Sequence, residues 1–209
     1  MPCASAENLL TDSSSQLLPF WIAKAQSAKE LELAAKVRKV AYAKHLPQFG
    51  DQLGVPDQDD LHPDCAVLLA YSKLDGSCIG TVRIQIGHQR ALRLEESFAL
   101  PKALRTGRIA EISRLAIPAR SNGLALRLML IKAAYWYSRA NHVDRCFLCV
   151  RFPVDRQYRR FDLNDVMHAY ERSVAIHHPW VVAPRDVEAY LQQEGRYFLC
   201  LQDSREIIG

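Results

Sequence analysis

The chain is poor in glycine, proline and cysteine, with nine, ten and six in 209 residues. That scarcity excludes collagen-like and low-complexity chains. No stretch approaches the ~20 consecutive apolar residues that a membrane span requires, so stable membrane insertion is not expected. The first sixteen residues hold Glu7 and Asp12 but no Lys or Arg, the opposite of a basic leader segment. The run from Leu17 to Ala23 is short and broken by Pro19. These absences predict a cytoplasmic protein with a mobile tail over 1–16 and one domain over 17–209. Also missing are zinc-finger spacing, an RNP-like strand and a compact basic helix-turn-helix, which argues against a nucleic-acid partner.

The few cysteines sit mostly among apolar neighbours, as in Asp64-Cys65-Ala66-Val67 and Phe198-Leu199-Cys200-Leu201, where a free thiol behaves as a small hydrophobe. Cys146 and Cys149 have redox or metal spacing, but Arg145–Phe152 reads as a strand. Positions three apart on a strand face opposite sides, so the two sulfurs cannot converge on one ion. His177 and His178 are adjacent, lack a third ligand and precede Pro179-Trp180, which reads as a packed turn. Tyr135-Trp136-Tyr137 reads as core or interface. No metal is expected.

What is present is ordinary globular material, 49% hydrophobic and 24% charged. A single domain of this length buries roughly 70% of its unfolded surface. The net charge of +4 is unevenly spread. Asp51, Asp57, Asp59, Asp60 and Asp64 crowd residues 51–64, while Lys102, Arg105, Arg108, Arg114, Arg120 and Arg127 face the single acid Glu111 over 102–127. A second basic stretch holds Arg139, Arg145, Arg151, Arg156, Arg159 and Arg160. Arginine forks suit phosphate and carboxylate, so an acidic or phosphorylated partner fits, as does plain solvated surface.

A strand is predicted over 20–25. Ser27 and Glu30 then form a capping-box pattern ahead of Leu31, Ala34, Val37, Ala41 and His45 at helical spacing, giving a helix to about Leu46. Strands over 65–72 and 78–86 flank an Asp75-Gly76 hairpin turn. Helical or irregular chain covers 90–107. Then come a strand over 108–117 stopped by Pro118, a long helix over 124–141, and a strand over 144–152. Helices over 155–175 and 184–194 and a strand over 197–202 complete an α/β domain.

Strand 108–117 is the unusual one. Alternation would place Ile109, Glu111, Ser113, Leu115 and Ile117 on one face, and Ala110, Ile112, Arg114 and Ala116 on the other. A carboxylate and an arginine inside an apolar strand are costly unless paired or wetted by a cleft. Strand 78–86 repeats the oddity, with Arg83 on the Thr81/Gln85 face. Two readings stand: a buried ion pair of Glu111 with Arg83 or Arg38, or a functional carboxylate. Directly after the strand, Arg120-Ser121-Asn122-Gly123-Leu124-Ala125 opens the long helix. A strand, a short Gly-bearing loop and a helix N-terminus make a cradle for an anion.

The segment Glu111-Ile-Ser-Arg-Leu-Ala-Ile-Pro-Ala-Arg-Ser-Asn-Gly-Leu-Ala125 resembles the central strand, pyrophosphate loop and helix of the GNAT acyltransferase superfamily. The R-x-x-G-x-A match falls on Arg120, Gly123 and Ala125. Tyr158-Arg-Arg-Phe-Asp-Leu163 resembles the superfamily's Y-x-x-x-G-F stretch, with Asp162 and Leu163 replacing its Gly and Phe. Within the superfamily, E-x-S-R-L-A resembles the N-acyl amino acid synthases and the related acyl-homoserine-lactone synthases. Arg38 and Tyr42 in the first helix, Asp57, Asp59 and Asp60 in the acidic loop, and Gly80 to Arg83 in a strand match that branch too. The lactone synthases typically carry a Trp near the acidic loop; Trp21, Trp136 and Trp180 lie elsewhere, which favours the amino-acid branch.

The resemblance implies a single GNAT-like α/β domain with a mixed, mostly antiparallel sheet flanked by helices. It implies transfer of a fatty acyl group from a thioester to a primary amine, with no permanently bound cofactor. Glu111, Ser113, Arg114 and Tyr158 are the implied catalytic residues, Glu111 as base and Tyr158 as proton donor to the thiolate. Leu115, Ala116, Arg120, Asn122, Gly123, Leu124 and Ala125 would hold the oxyanion and the phosphopantetheine arm. Arg38, Tyr42, Asp59, Asp60 and Arg83 would serve the acceptor, and Arg114 with Arg83 and Arg38 would order the acidic loop or hold an amino-acid carboxylate. Acyl carrier protein is strongly acidic, so the Arg-rich stretches suit its docking, although the same loop would hold coenzyme A. The alternatives are an acyl-homoserine-lactone synthase and a non-catalytic acyl-thioester-binding protein.

Overall fold

The computed structural model describes residues 18–43, 53–87, 90–96, 100, 102, 105–119, 123–151, 180–182 and 196–202. Their elements are β1 (Phe20–Lys24), α1 (Ala28–Tyr42), β2 (Cys65–Ser72), β3 (Cys78–Gly87), a 3₁₀ turn (Arg93–Glu96), β4 (Ile109–Ala116), α2 (Gly123–Ala140), β5 (Arg145–Arg151), β6 (Trp180–Val182) and β7 (Arg196–Gln202). The strands hydrogen-bond in the order β1-β2-β3-β4-β5-β7-β6. The expected α/β class holds, and the sheet is mixed. β1–β2, β5–β7 and β7–β6 pair antiparallel, while β4–β5 is parallel. A parallel neighbour needs a crossover connection, and α2 supplies it between β4 and β5.

Contacts divide the chain into two units, Met1–Arg83 with Arg114–Tyr137, and Ile84–Ser113 with Ser138–Gly209. In the first unit, α1 begins as the sequence predicts. The Ser27 side chain accepts from the Glu30 N–H, and the Glu30 carboxylate accepts from the Ser27 N–H at 2.9 Å. This satisfies helix-end donors that would otherwise be orphaned. Inward-facing Ala34 packs on Val67 and Leu69 of β2, with Leu31 and Tyr71 beside them. The β2–β3 hairpin turns at Gly76, whose φ of 70° suits a residue without a Cβ. At Gly80 the sheet comes close to its neighbours. A Cβ there would stand 2.9 Å from Leu130 Cδ1 on α2, and 3.4 Å from Leu126 and Ile117 side-chain atoms.

In the second unit, β4 and β5 pair from Ile109↔Arg145 to Ile112↔Leu148. The turn before β4 is locked by Asp144. Its carboxylate accepts from the Arg108 N–H at 2.6 Å, and its own N–H donates 2.7 Å to the Arg108 carbonyl. Gly107, at φ 76°, has Asp144 where a Cβ would stand. Buried Leu92, Leu94, Ile109, Ile112 and Phe147 supply apolar core in this unit.

Two expectations change. Trp180 begins strand β6 instead of a packed turn. The alternation expected throughout β4 breaks at Arg114, whose φ of 55° is left-handed. The predicted continuation of α1 over 44–46 lies outside the described residues. The predicted tail and the helices over 155–175 and 184–194 lie outside the described residues. Cys146 is buried on β5, as expected of a structural thiol.

Candidate active site

The acidic loop is folded around three arginines. Arg38, on the inner face of α1, makes a bidentate pair with Asp60, 2.6 and 2.9 Å from its two oxygens. Arg83, on β3, reaches Asp57 at 2.6 Å, Asp59 at 3.3 Å and Asp60 at 3.4 Å. Arg114, on β4, donates 3.2 Å to the second oxygen of Asp57. The loop closes on itself, since the Asp57 N–H donates to the Asp60 carboxylate and the Asp60 N–H to that of Asp57. Three cations thus meet three anions. Buried charges persist when paired and hydrogen-bonded in this way.

Burial opposes the charge on Asp57, yet the Arg83 guanidinium and its hydrogen bond, the Asp60 N–H and Arg114 together hold this carboxyl below its ordinary range. Arg83 is shifted upward: burial disfavours its charge, but Asp57, Asp60 and Asp59 outweigh that effect. Arg38 and Asp60 are sealed, with side chains 2% and 0% exposed. Arg114 and Asp57 are the open members, 25% and 26% exposed.

Arg38, Arg83 and Arg114 thus order the acidic loop through its aspartates, one of the two roles expected of them. These contacts also give a central place to Asp57, which the sequence puts in the acidic loop but not among the acceptor residues. Among the acidic-loop residues it touches both Arg83 and Arg114. The signal available was the Asp57/Asp60 spacing of three, which suits reciprocal capping of a tight turn.

Immediately after the left-handed Arg114, the Tyr42 hydroxyl donates 2.8 Å to the Leu115 carbonyl. A non-glycine residue at positive φ costs on the order of 1–3 kcal/mol and persists when its surroundings determine it. Here the Asp57 contact holds the Arg114 side chain, and Tyr42 holds the next peptide. Burial pushes the Tyr42 phenol upward, against the opposing fields of Arg114, Arg38 and Arg83. Ser113 and Leu115 are half-buried and Ala116 is buried.

The chain then reaches α2. Gly123 opens the helix, and among the described residues beyond its chain neighbours and its own helix backbone no heavy atom lies within 4 Å of where a Cβ would stand. Leu124 and Ala125 are exposed, and the first turn holds no acidic side chain. A helix N-terminus of this kind favours an anion through its dipole and its N–H groups. Arg120 and Asn122, expected beside it, lie outside the described residues, as does Tyr158.

In the second unit, Glu111 is 5% exposed and accepts a 2.7 Å hydrogen bond from the Leu94 N–H. Gln85, on β3 and also buried, donates to the Ala91 carbonyl at 3.0 Å and accepts from the Arg93 N–H at 3.1 Å. Glu95 accepts from the Leu92 N–H at 2.9 Å. Three successive backbone donors, 92 to 94, therefore end on side-chain oxygens. Two of those side chains come from the sheet. Gln85 was visible in the sequence as a polar residue within an apolar strand, but its partner segment was not.

Among the described residues no group of His, Cys, Asp and Glu could hold a metal ion, and no helix is long and apolar enough to cross a membrane.

A family model described as N-acyl amino acid synthase FeeM matches residues 34–178. No curated protein matches the chain in sequence. Among solved structures, FeeM, an N-acyl amino acid synthase from uncultured soil microbes, superposes with a TM-score of 0.58 at 12% identity, over 88% of this chain and 90% of that one. The acyl-homoserine-lactone synthase LasI gives 0.56 at 16% identity, over 88% of both chains. The PaiA N-acetyltransferase from Thermoplasma acidophilum, solved with coenzyme A, gives 0.53 at 11% identity, over 88% and 99%. At these identities the structural likenesses establish the fold.

Proposed function

The chain belongs to the N-acyl amino acid synthase FeeM family, and from that premise we propose that it moves a fatty acyl group from an acyl thioester to the amine of an amino acid, using β4 as its reaction strand. The observation that carries this reading is β4 itself. One strand holds a buried carboxylate at 111 and a left-handed break at 114, and the helix that follows it begins at Gly123 with no acidic side chain in its first turn.

The neutral amine nitrogen attacks the thioester carbonyl carbon, and the carbonyl electron pair moves to oxygen. The tetrahedral oxyanion collapses, reforming the carbonyl and expelling the thiolate. The amine proton leaves through the base, and a proton returns to sulfur. The products are one amide and one free thiol. Glu111 takes the amine proton, directly or through water. The Leu115–Ala116 peptide supplies a main-chain N–H to the oxyanion. Arg120 and the N–H groups at the start of α2 take the phosphate of the donor, and Tyr158 protonates the thiolate. Arg114 and Asp57, the open members of the ion-pair cluster, meet the carboxylate and the neutral amine of the incoming amino acid. The Arg-rich stretches over 102–127 and 139–160 favour acyl carrier protein as donor through charge complementarity.

The test offers purified protein a long-chain acyl carrier protein or acyl-coenzyme A, with a pool of amino acids and S-adenosylmethionine, and reads products by mass spectrometry. An N-acyl amino acid is expected, with one thiol released per amide. Acyl-homoserine lactone would move the chain to the sister activity. A folded protein that releases no thiol from any donor would sink the proposal.

A further inference from the structure

Tyr42 stands at the last turn of α1, yet its hydroxyl is used on β4. A carbonyl oxygen can only accept, so in the 2.8 Å contact with the Leu115 carbonyl Tyr42 is the donor. The peptide joining Leu115 to Ala116 is a planar trans unit, in which the C=O and the N–H point in opposite directions. Fixing the Leu115 oxygen therefore fixes the direction of the Ala116 N–H. The left-handed Arg114 just before it takes the backbone out of regular alternation, so an anchor from outside the strand has something to set.

We propose that Tyr42 is a positioning residue, whose hydroxyl holds the Leu115–Ala116 peptide so that the Ala116 N–H is aimed as a donor to the reaction's oxyanion. This rests on the acyl-transfer reading of the strand. It differs from the role expected of Tyr42 in the sequence, which was contact with the acceptor. With its pKa raised by burial, the phenol keeps its proton through the neutral range and can hold the carbonyl throughout turnover. Arg114 and Tyr42 then act as a pair, one shaping the break and the other holding the peptide behind it.

The test is Tyr42→Phe, which keeps the ring and removes the hydroxyl. Removing an oxyanion donor outright costs about 10²–10³ in kcat. Misaiming one while leaving it in place should cost less, about ten- to a hundredfold, with the KM of both substrates within about threefold of wild type. A second readout needs no turnover: protein carrying carbon-13 at leucine carbonyls and nitrogen-15 at alanine amides gives signals for its four Leu–Ala peptides, the Leu115–Ala116 one being identified as the signal lost in Ala116→Gly, and that signal should move in Tyr42→Phe. Unchanged kcat would overturn the proposal, and so would an unmoved peptide signal. A raised acceptor KM with kcat intact would restore the acceptor-contact role and overturn it too. Should the wild type acylate no amine, the proposed function falls, and the peptide signal by itself decides whether the hydroxyl holds the strand.

Discussion

Replacing Asp60 by Ala exposes the logic of the arginine cluster. The substitution removes both hydrogen bonds to Arg38, the acceptor for the Asp57 N–H, and the 3.4 Å contact with Arg83. Arg38 is 1% exposed, so its guanidinium cannot turn to water without opening the packing of α1. Breaking a buried pair by removing one partner costs about 3–5 kcal/mol. For a protein of this size each kcal/mol shifts the melting temperature by about 2–4 °C, so Asp60→Ala should melt roughly 6–20 °C lower. Removing the charge on both sides avoids most of that loss, since apolar replacement of a buried pair is often neutral or better. Arg38→Met with Asp60→Leu should therefore be markedly more stable than Asp60→Ala, short of wild type by about 1 kcal/mol for the orphaned Asp57 N–H. Urea and thermal unfolding of the wild type, the two single variants Arg38→Met and Asp60→Leu, Asp60→Ala and the double variant would measure this. A loss below about 1 kcal/mol in Asp60→Ala, or a double variant as unstable as the sum of its single changes, would refute the argument.

Gly107→Ala should lower stability by about 2–3 kcal/mol, combining left-handed strain with displacement of Asp144 from the Arg108 N–H; a change under about 0.5 kcal/mol in urea unfolding would contradict it. The depressed Asp57 carboxyl lends stability that is fully present above its unfolded value near 3.8 and is lost as pH falls through its lower folded value. Urea midpoints measured from pH 6 downward should drop steeply on the acid side, and Asp57→Asn should flatten that limb; parallel limbs would show that Asp57 is not the group involved.

The strands and both long helices were legible because their residues repeat with a period. Apolar spacing and the Ser27/Glu30 box located α1, and the Asp75-Gly76 step located the hairpin. What the sequence concealed was partnership across distance. Buried Glu111 and Arg83 could be seen to need partners, but polarity alone does not say which residue supplies them. Arg83 meets aspartates 23–26 residues away, and Glu111 accepts from a backbone donor 17 residues away. The break in β4 was hidden for a different reason. Arginine has no propensity for positive φ, so the left-handed turn at 114 is imposed by surrounding contacts and leaves no local signature. Trp180 shows the converse limit, where Pro179-Trp180 suggests a turn and pairing with Leu201 of β7 makes a strand.

The most direct measurement of the central claim is the single-turnover rate of acyl transfer by wild type and by Glu111→Gln. Glutamine keeps an oxygen for the Leu94 N–H, so the segment over 91–95 stays in place and the two proteins should melt together. Losing the base alone should slow amide formation by about 10²–10⁴, with one thiol released per amide in the wild type. A Glu111→Gln enzyme within about threefold of wild type would show that the carboxylate on β4 anchors a loop and takes no proton.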